Sequence, residues 1–242
     1  MEKISATNNL SATVVHKAYN EFHDRSVFEI HNSQSAPALL IPLYSPLSIK
    51  YNAHLKRYFD VMISLVLIVF LLSWLIPILA LIIKLTSRGP VFFLQQRTKS
   101  LGRTFTCIKL RTMIVNRDAD ILSACENDSR ITKVGRILRR YHLDELPQLF
   151  NVLIGDMSII GPRPHMLVEN SKFEILLAEY SSRHSIRPGL TGLAQSYGNF
   201  GATKEIEKMK DRVDLDIRYI REWSFLLDIK ILLRTCALII GM

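Results

Sequence analysis

The chain has 242 residues, 48% of them apolar and 22% charged, and its 31 Lys and Arg against 22 Asp and Glu give a formal charge of +9. That excess points to nucleic acid, an anionic membrane surface or a phosphorylated substrate as partner, while a chain so apolar and so charged at once must concentrate its apolar weight in particular stretches. Three widely spaced cysteines (Cys107, Cys125, Cys236) and scattered histidines without His-x-x-x-His spacing exclude a disulfide framework and a helical zinc site, and they fit a reducing compartment.

In chain order, residues 1–50 are polar at first, with no apolar run near the start, so no secretory signal is expected. A loosely ordered extension is expected there, with Ala38 to Tyr44 as an alternative small docking segment. From Val61 to Ile83 the chain then runs 23 residues without a charge, interrupted only by Ser64, Ser73 and Pro77. As one helix this is about 35 Å long, enough to cross a bilayer core. Lys56 and Arg57 lie before it, Lys84 and Arg88 after it, and both pairs favour the cytoplasmic side. A broken helix that enters and leaves on one side meets that demand. Pro77 would make the break and Ser73 would help satisfy freed carbonyls, with arms near 60–74 and 77–86. A single tilted span with a proline kink is the alternative.

The composition changes after Gly89-Pro90. Val91 to Leu94 and Thr104 to Arg111 read as a small β-hairpin turning at Leu101-Gly102-Arg103. Residues 115–126 read as a helix whose Asp118, Asp120 and Glu126 face solvent. Residues 130–140 are densely basic, and on a helix Val134, Ile137 and Leu138 share one side while the arginines face water, phosphate or lipid head groups. This run leads into Leu143-Asp144-Glu145-Leu146-Pro147-Gln148. Leu143, Leu146, Phe150 and Leu153 recur at helical spacing, Pro147 is tolerated only near a helix start, and Gly155 is a natural stop. The two acids therefore fall in the first turn, where anions are favoured. Adjacent residues on a helix point in different directions, so the pair is expected to divide its roles. An acid pair between basic stretches suits chemistry on something anionic.

Met157 to Ile160 reads as a buried strand or turn. Gly161-Pro162-Arg163-Pro164 follows, fixing a guanidinium between two prolines as a pre-set phosphate fork. Residues 166–183 read as an amphipathic helix, Ile186 to Gly192 as a rigid turn carrying Arg187, and 204–223 as a mixed-charge helix holding Asp211, Asp214 and Asp216. The last stretch, from Phe225 onward, is apolar but carries Asp228, Lys230 and Arg234, which suits a helix lying in the membrane interface with Trp223 at that depth.

Taken in order, these segments resemble the bacterial sugar transferases, the monotopic phosphoglycosyl transferases that load undecaprenyl phosphate with a sugar phosphate in exopolysaccharide, capsule and glycan assembly. The resemblance rests on Lys56-Arg57 with Asp60, Gly89 to Phe93, Lys109 to Met113, Leu143 to Gln148, Gly155 to Ser158, Gly161 to Pro164, Arg187 to Gly192, and Trp223-Ser224 with Leu227 to Lys230. It implies an α+β, mostly helical monotopic membrane protein with a re-entrant helix at 51–88, a small β-hairpin, and a cytoplasmic catalytic domain at 89–242 ending in an interfacial helix. It implies location at the bacterial inner membrane, Mg²⁺ as cofactor, a UDP-sugar donor and a polyprenyl phosphate acceptor. By motif, Asp144 would be the nucleophile and Glu145 the metal ligand. Arg163 would contact phosphate, and Lys109, Arg111, Arg139, Arg187 and Asp216 would serve substrate or phosphate binding. In two places the sequence departs from the family pattern. Ser73 and Pro77 are separated where the family commonly has Ser-Pro, and His142 stands where Ser or Thr often caps the acid helix. The four-helix membrane region of larger members is not expected here.

Two other readings stay open at this level: Asp144 as a general base for direct transfer, and a membrane-tethered anion-binding scaffold without catalysis. No recognisable nucleic-acid module is present, so nucleic acid is not the expected partner. The sequence names neither the sugar nor the oligomeric state; a homo-oligomer is compatible with it.

Overall fold

The computed structural model describes residues 44–116, 119, 122–124, 128–199, 201 and 205–241. The expected N-terminal extension up to residue 43, with all but the last residue of the Ala38–Tyr44 patch, lies outside the described residues, as does half of the expected 115–126 helix, with Asp118, Asp120 and Glu126; its described residues (115, 116, 119 and 122–124) are not helical.

The apolar stretch is one helix of 37 residues, Lys50–Thr86, and only 11% of its most apolar window is buried. The core helix of a water-soluble protein would bury most of that window. The helix has two arms, α1 (Lys50–Leu67) and α2 (Ser73–Thr86), joined by a π-helical turn at Ile68–Leu72. The discontinuity therefore comes before Ser73, not between Ser73 and Pro77 as expected, and Pro77 sits inside α2. The π register sends the Ser73 N–H to Ile68 O, one residue further back than an α-helix would. That slip leaves carbonyls over. The Ser73 hydroxyl donates to Val69 O (2.6 Å) and the Trp74 indole to Phe70 O (2.9 Å), so the expected carbonyl-satisfying role of Ser73 is met at the π-turn.

Both arms pack on the rest of the chain. Phe59, Ile63 and Leu67 of α1 lie against the main core built around Leu149, Val152, Ile160 and Ile220. Leu79 and Ile83 of α2 pack with Leu110 and Leu138. The opposite face is apolar and bare: Phe70 is 75% exposed, Trp74 53%, Leu81 61% and Leu85 77%.

The remainder is α+β and mostly helical. The expected hairpin forms from β1 (Phe92–Thr98) and β2 (Thr104–Leu110), antiparallel with Phe92 opposite Leu110 and Thr98 opposite Thr104. Then come α3 (Lys133–Arg140), α4 (Gln148–Ile154) and β3 (Ser158–Ile160). The chain continues through α5 (Leu167–Leu176), β4 (Gly189–Thr191), α6 (Leu193–Ser196), α7 (Ile206–Glu222) and α8 (Phe225–Ile240). Strands β3 and β4 pair in parallel. The helix expected over 166–183 stops at Leu176, and a separate 3₁₀ segment covers Tyr180–Ser185. On α3 it is Gly135 and Leu138 that turn inward, whereas Ile137 is 58% exposed.

Buried charges hold α1 to this body. Lys56 pairs with Asp228 at 2.8 Å with both side chains almost wholly buried, and Asp228 also accepts from the Tyr219 hydroxyl (2.7 Å) and the Trp223 indole (3.1 Å). Trp223 is thus a core residue rather than the expected interfacial anchor. Asp60 accepts from the Ser158 hydroxyl and Ile159 N–H, both at 2.9 Å. Arg57 donates to Leu153 O (2.7 Å) and to Val152 O (2.6 Å), which also accepts from Gly155 N at the end of α4.

Candidate functional site

The acid pair occupies a 3₁₀ turn, Leu143–Glu145, that precedes α4; it does not lie in the first turn of that helix as expected. The cause is His142, which takes a left-handed conformation (φ 54°) and makes no side-chain cap. A left-handed residue reverses the chain out of α3 at once, so the acids face back toward the hairpin. The α3 helix is itself pressed against the chain after β2. A Cβ on Gly135 would collide with the Thr112 carbonyl, which instead accepts from Thr132 N at 3.0 Å. Thr132 caps the helix, its hydroxyl accepting from Gly135 N at 2.9 Å. This close approach puts Arg139 Nε 2.7 Å from the Thr112 hydroxyl.

Lys109 comes from β2, and Asn151 of α4 sets its place. The Asn151 amide donates to Thr106 O (2.8 Å) and accepts from Ile108 N (3.0 Å), so one buried side chain stitches the outer edge of β2 to the acid-bearing segment. Lys109 Nζ then reaches Glu145 Oε1 at 2.6 Å. Arg163 grips the same carboxylate with both ends of its fork, 2.6 Å to Oε1 and 3.0 Å to Oε2. Its loop is clamped from behind. Arg183 Nη2 donates to Arg163 O (2.9 Å) and Arg97 Nη1 to Pro164 O (2.7 Å).

These groups line a cavity of about 370 Å³ whose described walls carry six basic side chains (Arg97, Lys109, Arg111, Arg139, Arg163, Arg212) against three acids (Asp144, Glu145, Glu169). The surplus is positive, which suits a polyanion. The two acids live in opposite electrostatic surroundings. Burial raises the Asp144 carboxyl and the Glu145 charge raises it further, against the pull of Lys109, Arg139 and His142. Burial acts on Glu145 too, but Arg163 and Lys109 together hold it well below the usual carboxylate range. Glu145 is thus a fixed anion. Asp144 is 7% exposed and receives no hydrogen bond among the described residues.

No group of three or more His, Cys, Asp or Glu side chains forms a metal cluster among the described residues. The donor set still fits a Mg²⁺ ion that is completed by substrate phosphates and water, because such sites need only one or two carboxylates. Asp144 has both oxygens uncommitted, and Glu145 Oε2 has a single partner.

The cavity brings together Asp144, Glu145, Lys109, Arg111, Arg139 and Arg163. Arg111 is more committed than expected, because its guanidinium donates to Ser87 O (2.9 Å) and to Arg88 O and so fastens the end of α2. Arg187 is exposed and lies outside the cavity lining. Asp216 is buried on α7, outside the cavity lining, where its Oδ2 pairs with Arg183 at 2.6 Å. It is needed there to neutralise a guanidinium that has only 1% exposure. Sequence reasoning missed Arg97, Arg183 and His165. His165 Nδ1 lies 2.7 Å from Arg183 Nη1, and burial with that neighbouring cation pushes its pKa well down. The only signal for Arg183 was an arginine in a Tyr-Ser-Ser-Arg-His-Ser run with no charged neighbour beside it.

A sequence model described as bacterial sugar transferase matches residues 51–242. Among curated proteins, the chain is 46% identical over 198 residues to the UDP-glucose:undecaprenyl-phosphate glucose-1-phosphate transferase of Escherichia coli K12, an alignment covering 81% of this chain and 42% of that protein. It is 47% identical over 181 residues to the enzyme of the same name from Caulobacter vibrioides, covering 74% of this chain and 67% of the relative. It is 37% identical over 207 residues to a UDP-N-acetylgalactosamine-undecaprenyl-phosphate N-acetylgalactosaminephosphotransferase of Aeromonas hydrophila, covering 85% and 46%. The chain thus spans less than half the length of the first and third of these relatives.

Proposed function

Because the chain belongs to the bacterial sugar transferase family, we propose that it transfers a sugar 1-phosphate from a UDP-sugar to undecaprenyl phosphate at the cytoplasmic face of the bacterial inner membrane, as the first membrane step of exopolysaccharide or related glycan assembly. The observation that carries this reading is the unpartnered Asp144 carboxylate beside a Glu145 held by Lys109 and Arg163, in a cationic cavity at the foot of a lipid-suited helix. The names of the relatives support the donor and acceptor classes.

In the proposed reaction an Asp144 oxygen attacks the phosphorus bonded to the sugar. The bond from that phosphorus to the bridging oxygen breaks, and UMP leaves with the electron pair. The sugar keeps its bond to oxygen and is held as an aspartyl phosphosugar. An oxygen of the lipid phosphate then attacks the same phosphorus and frees Asp144. Lys109, Arg139 and Arg163 hold the phosphate oxygens and lower the repulsion between two anions. Glu145, through Oε2, would hold Mg²⁺ together with the donor phosphates, and the ion when bound would neutralise charge on the diphosphate. Glu145 also keeps Lys109 and Arg163 in position.

The re-entrant reading belongs here too. A straight helix of 37 residues would be about 55 Å long, whereas both ends of this one are fastened to the same body: Lys56 to Asp228, and Ser87 and Arg88 to Arg111. That supports a helix dipping into the lipid and returning on one side.

The raised Asp144 pKa also favours a second reading, in which Asp144 is a general base for one direct transfer. The test of function is release of UMP from UDP-sugars, dependent on Mg²⁺ and on undecaprenyl phosphate, with formation of a lipid diphosphosugar. Failure of every UDP-sugar tested with purified protein in lipid would overturn the proposal.

A further inference from the structure

The cavity is lined in part by apolar residues that the phosphate chemistry does not use. Pro90, Phe92, Ile114 and Val115 belong to its lining, yet Phe92 is 40% exposed, Ile114 53% and Val115 66%. Exposed apolar side chains at the mouth of a cationic cavity are costly in water, and here they sit where the apolar helix ends. Arg111 ties Ser87 O and Arg88 O to the end of β2. Gly89 adopts φ 126°, and the Arg111 guanidinium and Val115 side chain occupy the space its Cβ would need. Leu110 packs on Leu79 and Ile83 of α2. The lip thus adjoins the end of α2, whose bare face carries Leu81 and Leu85, and it borders the cavity that holds Lys109, Arg139 and the acid pair.

Such a path suits a ligand that is hydrocarbon at one end and phosphate at the other. A nucleotide sugar carries no hydrocarbon chain to follow an apolar lip toward the end of a bare apolar helix. Resting on the function proposed above, we propose that Pro90, Phe92, Ile114 and Val115 form the groove through which the isoprenoid chain of the lipid phosphate passes from the bilayer into the cavity, placing its phosphate on the Arg111 and Arg139 side of Asp144. The groove adjoins the end of α2, whose bare face is apolar, and the cations behind it match the charge of the phosphate.

The test compares Ile114→Asp and Val115→Asp with wild type in nanodiscs, varying UDP-sugar and undecaprenyl phosphate separately. Both positions are exposed, so the fold should tolerate the change. The expected result is a KM for the lipid phosphate raised about tenfold or more, as when a few methylenes' worth of apolar contact is lost, with the KM for UDP-sugar within about twofold of wild type. Ile175→Asp, on an exposed site of α5 outside the cavity, should leave both unchanged. An unchanged lipid KM, or a rise confined to the UDP-sugar, overturns the groove. A photoreactive side chain at position 115 reads it independently: crosslinking to undecaprenyl phosphate above bulk phospholipid supports it, and equal labelling refutes it. If the wild-type protein transfers nothing, the proposed function fails, and the crosslinking result still decides the groove.

Discussion

At position 144 a buried carboxylate has no hydrogen-bond donor among the described residues, while at position 145 two cations converge on its neighbour. Their contributions to stability have opposite signs. The folded state raises the Asp144 pKa, so it binds that proton more tightly than the unfolded chain. The stabilisation is present at low pH and is lost as pH rises through the raised value. At neutral pH the ionised side chain is a cost, and Asp144→Asn should raise Tm by a few degrees, at roughly 2–4 °C per kcal/mol, while abolishing turnover. Glu145 is the reverse case: its lowered pKa gives stability above the ordinary value of 4.5 that is lost as pH falls through the depressed one. Glu145→Gln should therefore lower Tm, by less than the about 3–5 kcal/mol of a fully buried pair, because Arg163 keeps 25% of its side chain in water. Thermal unfolding of both variants at pH 7 checks the two signs together. The pH–rate profile of the wild type should lose activity on its acid side at a pH above 3.8, where Asp144 protonates. Arg163→Lys should not restore the roughly 10²-fold loss of Arg163→Ala, since a point charge cannot reproduce the two-pronged grip. The identity of the two acids was legible in their spacing and neighbours. Their opposite titration was not, because it depends on Lys109 and Arg163, which approach from distant segments.

The long helix shows how far an element can be read locally. Its extent and apolar character follow from composition, and Ser73 was identified as a carbonyl-satisfying residue. The π-turn at Ile68–Leu72 was missed because a one-residue slip in hydrogen-bond register leaves no compositional trace. Lys56 was read as a topological flank by its sign alone, and its burial on Asp228 became visible only with the C-terminal helix in place. Lys56→Met should leave a buried carboxylate uncompensated and cost about 3–5 kcal/mol. Lys56→Met with Asp228→Leu should recover part of that loss, as measured by thermal unfolding in detergent. Gly135→Ala should destabilise although alanine favours helices, because α3 rests on the Thr112 backbone and overpacking costs about 1–3 kcal/mol.

For the molecule as a whole, the proposed reaction joins a donor dissolved in water to an acceptor held in lipid, and the same fastenings would serve both. The arms of the helix are bound to the body that carries the acid pair, so a helix seated in lipid would fix the acid pair's position relative to the bilayer. Single cysteines at His54 and Arg88 should be labelled from the same side of the membrane, and labelling from opposite sides would contradict re-entry. The order of motifs along the sequence made this organisation legible at the level of family. The convergence of β2, α3 and the Pro162–Pro164 loop on the acid pair required the folded chain. The most direct test of the central claim is intact-protein mass spectrometry after acid quench, with a UDP-sugar that the protein turns over supplied without lipid acceptor. A single sugar-phosphate adduct, mapped to the peptide holding Asp144 and absent from Asp144→Asn, is the predicted result; transfer to lipid with no adduct at any quench time, and with Asp144→Asn still active, would contradict it.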